Sequence, residues 1–104
     1  METTTATAEV KIGSIFASSW GYDQTNVNFY RVVRCTAKTV TLQEVQNKYV
    51  ESGDMVGKVI PSDIPKGATF RRTVKYYSAP SVAIEDFAHA YLWHGRPMDV
   101  SSYA

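Results

Sequence analysis

Cysteine is nearly absent. Cys35 stands alone among 104 residues, which excludes an internal disulfide and leaves a buried, inert thiol in the apolar run VVRC as the expectation. One Cys and two His also fall short of a Cys/His structural zinc site. No apolar run approaches the about 20 residues that a membrane-spanning helix requires. No basic stretch followed by an apolar run opens the chain, so no leader is expected. These absences set a cytoplasmic protein with no membrane partner as the expectation. Neither sign of charge dominates: 11 Lys and Arg against 10 Asp and Glu give a formal net charge of +1. That balance argues against acidic mimicry of DNA and against binding ruled by counterion release.

Catalytic signatures are missing as well. There is no nucleophile elbow, no Cys–His arrangement at an arguable spacing, and no Gly-rich phosphate loop. His89 and His94 are five apart, not the i, i+4 of a helical metal pair. The adjacent acids Glu85 and Asp86 would point apart on a strand. The chain reads as a binding protein rather than an enzyme, with no cofactor.

What is present is the composition of a folded chain, 44% hydrophobic and 20% charged, at a length that fits one domain. Residues 1–9 are Thr- and Ala-rich without apolar periodicity and read as a flexible tail; residues 10–104 read as a single β-barrel domain. Strands are expected over 12–18, 27–35 and 39–45, the last two forming a hairpin. Val45 falls out of the alternation set by Val40 and Leu42, which predicts a bulge near Glu44. The polar segment 46–54 ends in the turn signal Ser52-Gly53-Asp54. A short strand over 55–60 precedes a loop over 61–67, marked by Pro61, Pro65 and Gly67. Residues 70–77 alternate cleanly but place Arg72 on the apolar face, where it would snorkel to the rim or pair with a carboxylate.

Residues 81–93 support two readings. Ile84, Phe87, Ala88, Tyr91 and Leu92 recur at helical spacing, with Ser81 as cap and Gly95 as stop. The same stretch reads as two short strands, in which Phe87, His89, Tyr91 and Trp93 alternate. The pattern as a whole predicts a mainly β fold, a small antiparallel SH3-like barrel, with one short helix near 81–93 as an option. The expected core is Ile15, Val27, Phe29, Val32, Val40, Leu42, Val59, Phe70, Val74 and Leu92.

Three sets of residues are candidates for recognition. The first is the aromatic and amide-rich loop in SSWGYDQTNVNFY (18–30), with Trp20, Tyr22, Asp23, Gln24 and Asn26. Such a loop either orders itself through Asx-turns and covers a barrel end, or presents rigid aromatic surface and amide groups to a partner. The second is the turn AYLWHGRP (90–97), with Trp93, His94 and Arg96, which would join the first loop in one aromatic patch if the barrel brought them together. The third is the basic set Lys66, Arg71, Arg72 and Lys75, a stretch of ten residues without an acid. It reads either as a solvated strand face or as a contact for phosphates or an acidic partner.

The motif SSWGYDQTNVNFY, followed by the VV strand and the KTVTL return, resembles a family of small proteins encoded by bacteriophages, plasmids and other bacterial mobile elements. AYLWHGRP and SSYA (101–104) resemble the same family, and the likeness covers residues 13–104. The resemblance implies an anti-defence context in the cytoplasm of a bacterial host. The expected function is inhibition or modulation of a host defence complex, such as a CRISPR effector or another nucleoprotein, by protein contact. Direct nucleic-acid binding and capture of a small nucleotide signal are the alternatives.

Overall fold

Segments rich in β-branched and aromatic residues, separated by glycine turns, form the eight strands of a computed structural model that describes residues 10–21, 25–52, 56–76, 80–85 and 88–101. The expected tail, residues 1–9, lies outside them. The strands are β1 (Ile15–Trp20), β2 (Asn26–Cys35), β3 (Thr39–Ser52), β4 (Val56–Pro65), β5 (Phe70–Tyr76), β6 (Pro80–Glu85), β7 (Ala88–Leu92) and β8 (Met98–Ser101). Six of them close a barrel in the order β2-β1-β7-β6-β5-β3, sealed by pairing of β3 with β2. The expected small antiparallel SH3-like barrel is therefore the fold. β4 takes over one edge of β3 where β5 ends, and β8 pairs with β4, so β3, β4 and β8 form an arm beyond the barrel.

The arm explains the dense hydrophobicity of β2. Tyr30 and Val32 face the barrel interior with Phe16, Val40, Leu42, Val74, Val82 and Ala90. Val27 and Phe29 face outward, where Ala17, Val45 and Val59 cover them together with Trp93, Met98 and Val100. A strand buried on both faces carries a nearly continuous apolar run rather than a strict alternation. Each fully buried Phe or Leu contributes roughly 1.5–3 kcal/mol, and Phe16, Phe29 and Leu42 are all fully buried.

Of the ten expected core residues, Val27, Phe29, Val32, Val40, Leu42, Val59 and Val74 are buried. Ile15, Phe70 and Leu92 are partly buried at the margins, and Cys35 is half-buried against the barrel core.

Several expectations need correction. The helical option over 81–93 is not taken up: β6 and β7 pair there as a hairpin, with Ser81 opposite Tyr91 and Val82 opposite Ala90. A lone short helix is marginal, whereas the hairpin fills the gap between β5 and β1 and closes the barrel. β1 begins at Ile15, not at residue 12, because Lys11–Ser14 form a turn with Gly13 at φ +96. The ladder between β2 and β3 runs in register through Glu44; the irregularity expected near Glu44 lies on the other edge of β3, where its pairing with β4 shifts register between Val45 and Asn47. Val45 leaves the alternation because the arm covers the other face there.

The polar segment from Gln46 onward continues β3 up to Ser52. The loop expected at 61–67 lies largely within β4. Pro65 opposes Val45 and Pro61 opposes Asn47, so the residues between them bulge out. Arg31 holds that bulge through the Ser62 carbonyl at 3.2 Å and Asp63 at 2.8 Å. Prolines are tolerated in a sheet at such bulges.

Candidate functional site

Trp20 ends β1, and the hairpin places it diagonally across from Asn28. Its indole Nε1 donates to Asn28 Oδ1, and Asn28 Nδ2 donates to Glu44 Oε2 at 2.7 Å. Lys66 Nζ lies 3.6 Å from the same oxygen, and its backbone N–H donates to the Glu44 carbonyl. This polar chain crosses one mouth of the barrel, beside buried Ser18. Trp20 remains 52% exposed although its N–H is satisfied. Asn26 is half-buried at the start of β2. Tyr22, Asp23 and Gln24 lie outside the described residues.

The second turn is anchored differently. The Trp93 backbone N–H donates to the Ile15 carbonyl, and its indole Nε1 donates to the Arg96 carbonyl at 2.6 Å. The ring meets Phe29 edge-on, with centroids 5.7 Å apart. Gly95, at φ +100, makes the corner. Trp93 is therefore half-buried in the outer core, while His94 and Arg96 are exposed.

The expected single aromatic patch does not form. β1 and β7 are antiparallel, which sets Trp93 beside Ile15 at the end of β1 remote from Trp20. Five residues of strand, roughly 16 Å, separate the two sites. The side chains also lie on opposite faces of β1, since Trp20 shares the face of Phe16 and Ser18.

The structure brings other residues together instead. His89, Tyr91 and Trp93 alternate along the outer face of β7. They line a groove of about 330 Å³ with Ala17 and Ser19 from β1, and with His94, Arg96 and Met98. Tyr91 is 55% exposed.

The basic set divides in two. Lys66 belongs to the mouth of the barrel. Arg72 points inward as its alternation requires, and its half-exposed guanidinium meets backbone carbonyls rather than a carboxylate among the described residues. Its Nε donates to Ala83 at 3.0 Å, and its terminal nitrogens donate to Ile84 and Arg71. Its guanidinium lies 4.7 Å from the Phe70 ring centroid. The register shift between Ala83 and Glu85 explains the choice, because a bulge leaves backbone groups outside the ladder.

Arg71 and Lys75 face outward and are exposed. Arg34 and Arg71 flank Thr41 in one row across β2, β3 and β5. Lys75, Ser81, Tyr91 and Ala17 form a second row across β5, β6, β7 and β1. The outer-face positions 71, 73, 75, 81, 83, 89 and 91 hold no acid. Elsewhere, the acids Glu44, Asp63 and Asp99 each sit against a cation. A nearly neutral chain thus exposes cationic and aromatic side chains together on one face.

Arg34, His89 and Tyr91 join this face without having been singled out as candidates. The two-residue period of His89, Tyr91 and Trp93 was the available signal for β7. Arg34 required knowledge of the register. Among the described residues no helix is long and apolar enough to cross a membrane. Comparison with known protein families, with curated proteins and with solved structures finds no match to this chain.

Proposed function

We propose that this is a non-catalytic binding protein that takes single-stranded nucleic acid across the outer face of β5, β6 and β7. One observation carries the reading: Lys75 and exposed Tyr91 lie in one row, separated only by small, buried Ser81, at the edge of an aromatic groove. Single strands are held by this combination, with bases stacked on aromatic rings and phosphates on flanking cations. In this arrangement a base enters the groove against Tyr91, while Arg71, Lys75 and Arg96 meet phosphates. The small net charge is no obstacle, because the local field of the face sets the attraction.

Fluorescence anisotropy with labelled single-stranded DNA and RNA tests the proposal. Three phosphate contacts give a slope of log affinity against log salt of about −2. Failure of every single strand to bind at low salt, or binding unchanged in an Arg71→Glu/Lys75→Glu variant, rejects it.

A second reading, modulation of a host defence complex by protein contact, is favoured by Trp20. Its ring is half exposed and its N–H is held by Asn28. Tethered, exposed tryptophans are common anchors of protein interfaces. A partner captured from bacterial lysate by the tagged protein, retained after nuclease treatment and lost with Trp20→Ala, supports this reading. Capture that nuclease abolishes favours the first.

A further inference from the structure

We propose, resting on the nucleic-acid reading, that Arg34 and Arg71 form a clamp across Thr41 for the terminal phosphate of a single strand. The clamp exists because β2 is irregular. Continued from the pair Val32–Leu42, a regular ladder would set Val33 opposite Thr41 and turn Arg34 inward, opposite Val40. Instead the register shifts after Val32, so that Arg34 opposes Thr41 and Cys35 takes the place opposite Val40. Bulges re-aim side chains in this way and are common beside functional sites. Arg34 is exposed, and Cys35 packs against the barrel core. On the other edge of β3, exposed Arg71 also opposes Thr41.

Two cations therefore flank one hydroxyl-bearing residue. With strands about 4.8 Å apart, their Cα atoms are roughly 10 Å from each other, within reach of two arginine side chains over Thr41. Like charges at this separation repel. The described carboxylates Glu44, Asp63 and Asp99 are taken by Lys66, Arg31 and Lys58, so none of them relieves the pair. The neighbouring outward positions are Thr39, Gln43, Thr73 and Lys75, none of them acidic. An anion cancels the repulsion, and the charge of the pair indicates which. A phosphodiester inside a strand carries one negative charge, whereas a phosphate monoester at a strand end carries about two near neutral pH. Two guanidiniums, each a fork of parallel donors, match the monoester, with the Thr41 hydroxyl as a further donor. The position also suits an end. β1 pairs with β2 only up to Ile15–Arg31, so no further strand continues the row beyond Arg34. In the other direction Lys75 lies four residues along β5 from Arg71, roughly 13 Å. A strand anchored at the clamp thus passes Lys75 and reaches the groove at Tyr91.

Anisotropy with one short sequence, labelled on an internal base, is the test. The strand is supplied 5′-phosphorylated, 3′-phosphorylated, or with hydroxyls at both ends. One phosphorylated form should bind on the order of tenfold tighter than the hydroxyl form, as an added charge-assisted contact allows. Its salt slope should be steeper by about 0.7. Arg34→Ala should abolish both differences and leave the hydroxyl form bound as before. Arg34→Lys keeps the charge without the fork and should recover part of the gap. Thermal melting confirms that each variant is folded. Equal affinity for all the forms, or a preference that survives Arg34→Ala, overturns the clamp while the nucleic-acid reading stands. If no form binds, that reading falls, and a titration with thymidine 5′-monophosphate decides the clamp alone. Amide shifts at Arg34, Thr41 and Arg71 that thymidine does not produce support it, and their absence overturns it.

Discussion

The indole N–H of Trp20 donates to the side-chain oxygen of Asn28 on the neighbouring strand, and Asn28 passes its own N–H on to Glu44. One amide therefore holds a half-exposed ring and a carboxylate in fixed relation. Asn28→Ala removes both bonds and leaves the Glu44 carboxylate, among the described residues, its contact with Lys66. The loss of partners at a part-buried position costs roughly 1–3 kcal/mol. The expected result is a lower Tm in a thermal melt, together with red-shifted tryptophan emission as the Trp20 ring is released. An unchanged melt and spectrum would show that the amide holds neither group.

Tyr91 and Trp93 lie two residues apart on the same face and should respond in opposite ways. Tyr91→Ala removes an exposed ring, so stability stays within about 0.5 kcal/mol of wild type. Affinity for a single strand falls by the roughly 1–3 kcal/mol of a lost base stack. Trp93→Ala removes the contact with Phe29 and the clasp on Arg96. Its cost approaches the roughly 3–5 kcal/mol of a truncated core aromatic. Paired melting and anisotropy measurements on the two variants check the contrast.

Adjacent arginines make a similar pair. Arg72→Ala strips a donor from the carbonyls of Ala83 and Ile84 and should lower Tm, with little effect on the salt dependence of binding. Arg71→Ala should leave Tm unchanged and flatten the salt slope by about 0.7, one phosphate's share for a single strand. Swapped outcomes would mean that the two side chains exchange roles in solution.

Gly95 turns the chain at φ +100, and a Cβ there would meet no atom within 4 Å. Space is not the constraint; the backbone conformation is. Gly95→Ala should cost about 1 kcal/mol through strain alone and loosen the Trp93–Arg96 clasp. Chemical denaturation measures the first effect, and faster amide exchange at residues 93–96 the second.

The hairpin of β2 and β3 was legible because Val40 and Leu42 alternate with polar neighbours, so one buried face stands out. Phe16 and Tyr30 lay outside the expected core because β1 and β2 are covered on both sides, which leaves no alternation to mark which positions are buried. The extension of β3 through Gln46, Asn47 and Lys48 was hidden by its polarity, since an arm strand needs little burial to stay paired with β4. Alternation correctly turned Arg72 inward. What satisfied it there, two carbonyls released by a bulge on another strand, depends on a register that no local pattern encodes. The groove beside Tyr91 was illegible for the same reason: its walls come from β1, β7 and the turn before β8, and only barrel closure makes them neighbours.

Because β2 is sandwiched, with Phe29 against the arm and Tyr30 against the barrel interior, neither layer has a finished surface without the other. Removing β8 would uncover Val59 and Phe29 rather than trim an appendage. The two layers should thus melt as one cooperative unit. Probes at Trp20 and Trp93, on opposite sides of that sandwich, should trace superimposable unfolding curves.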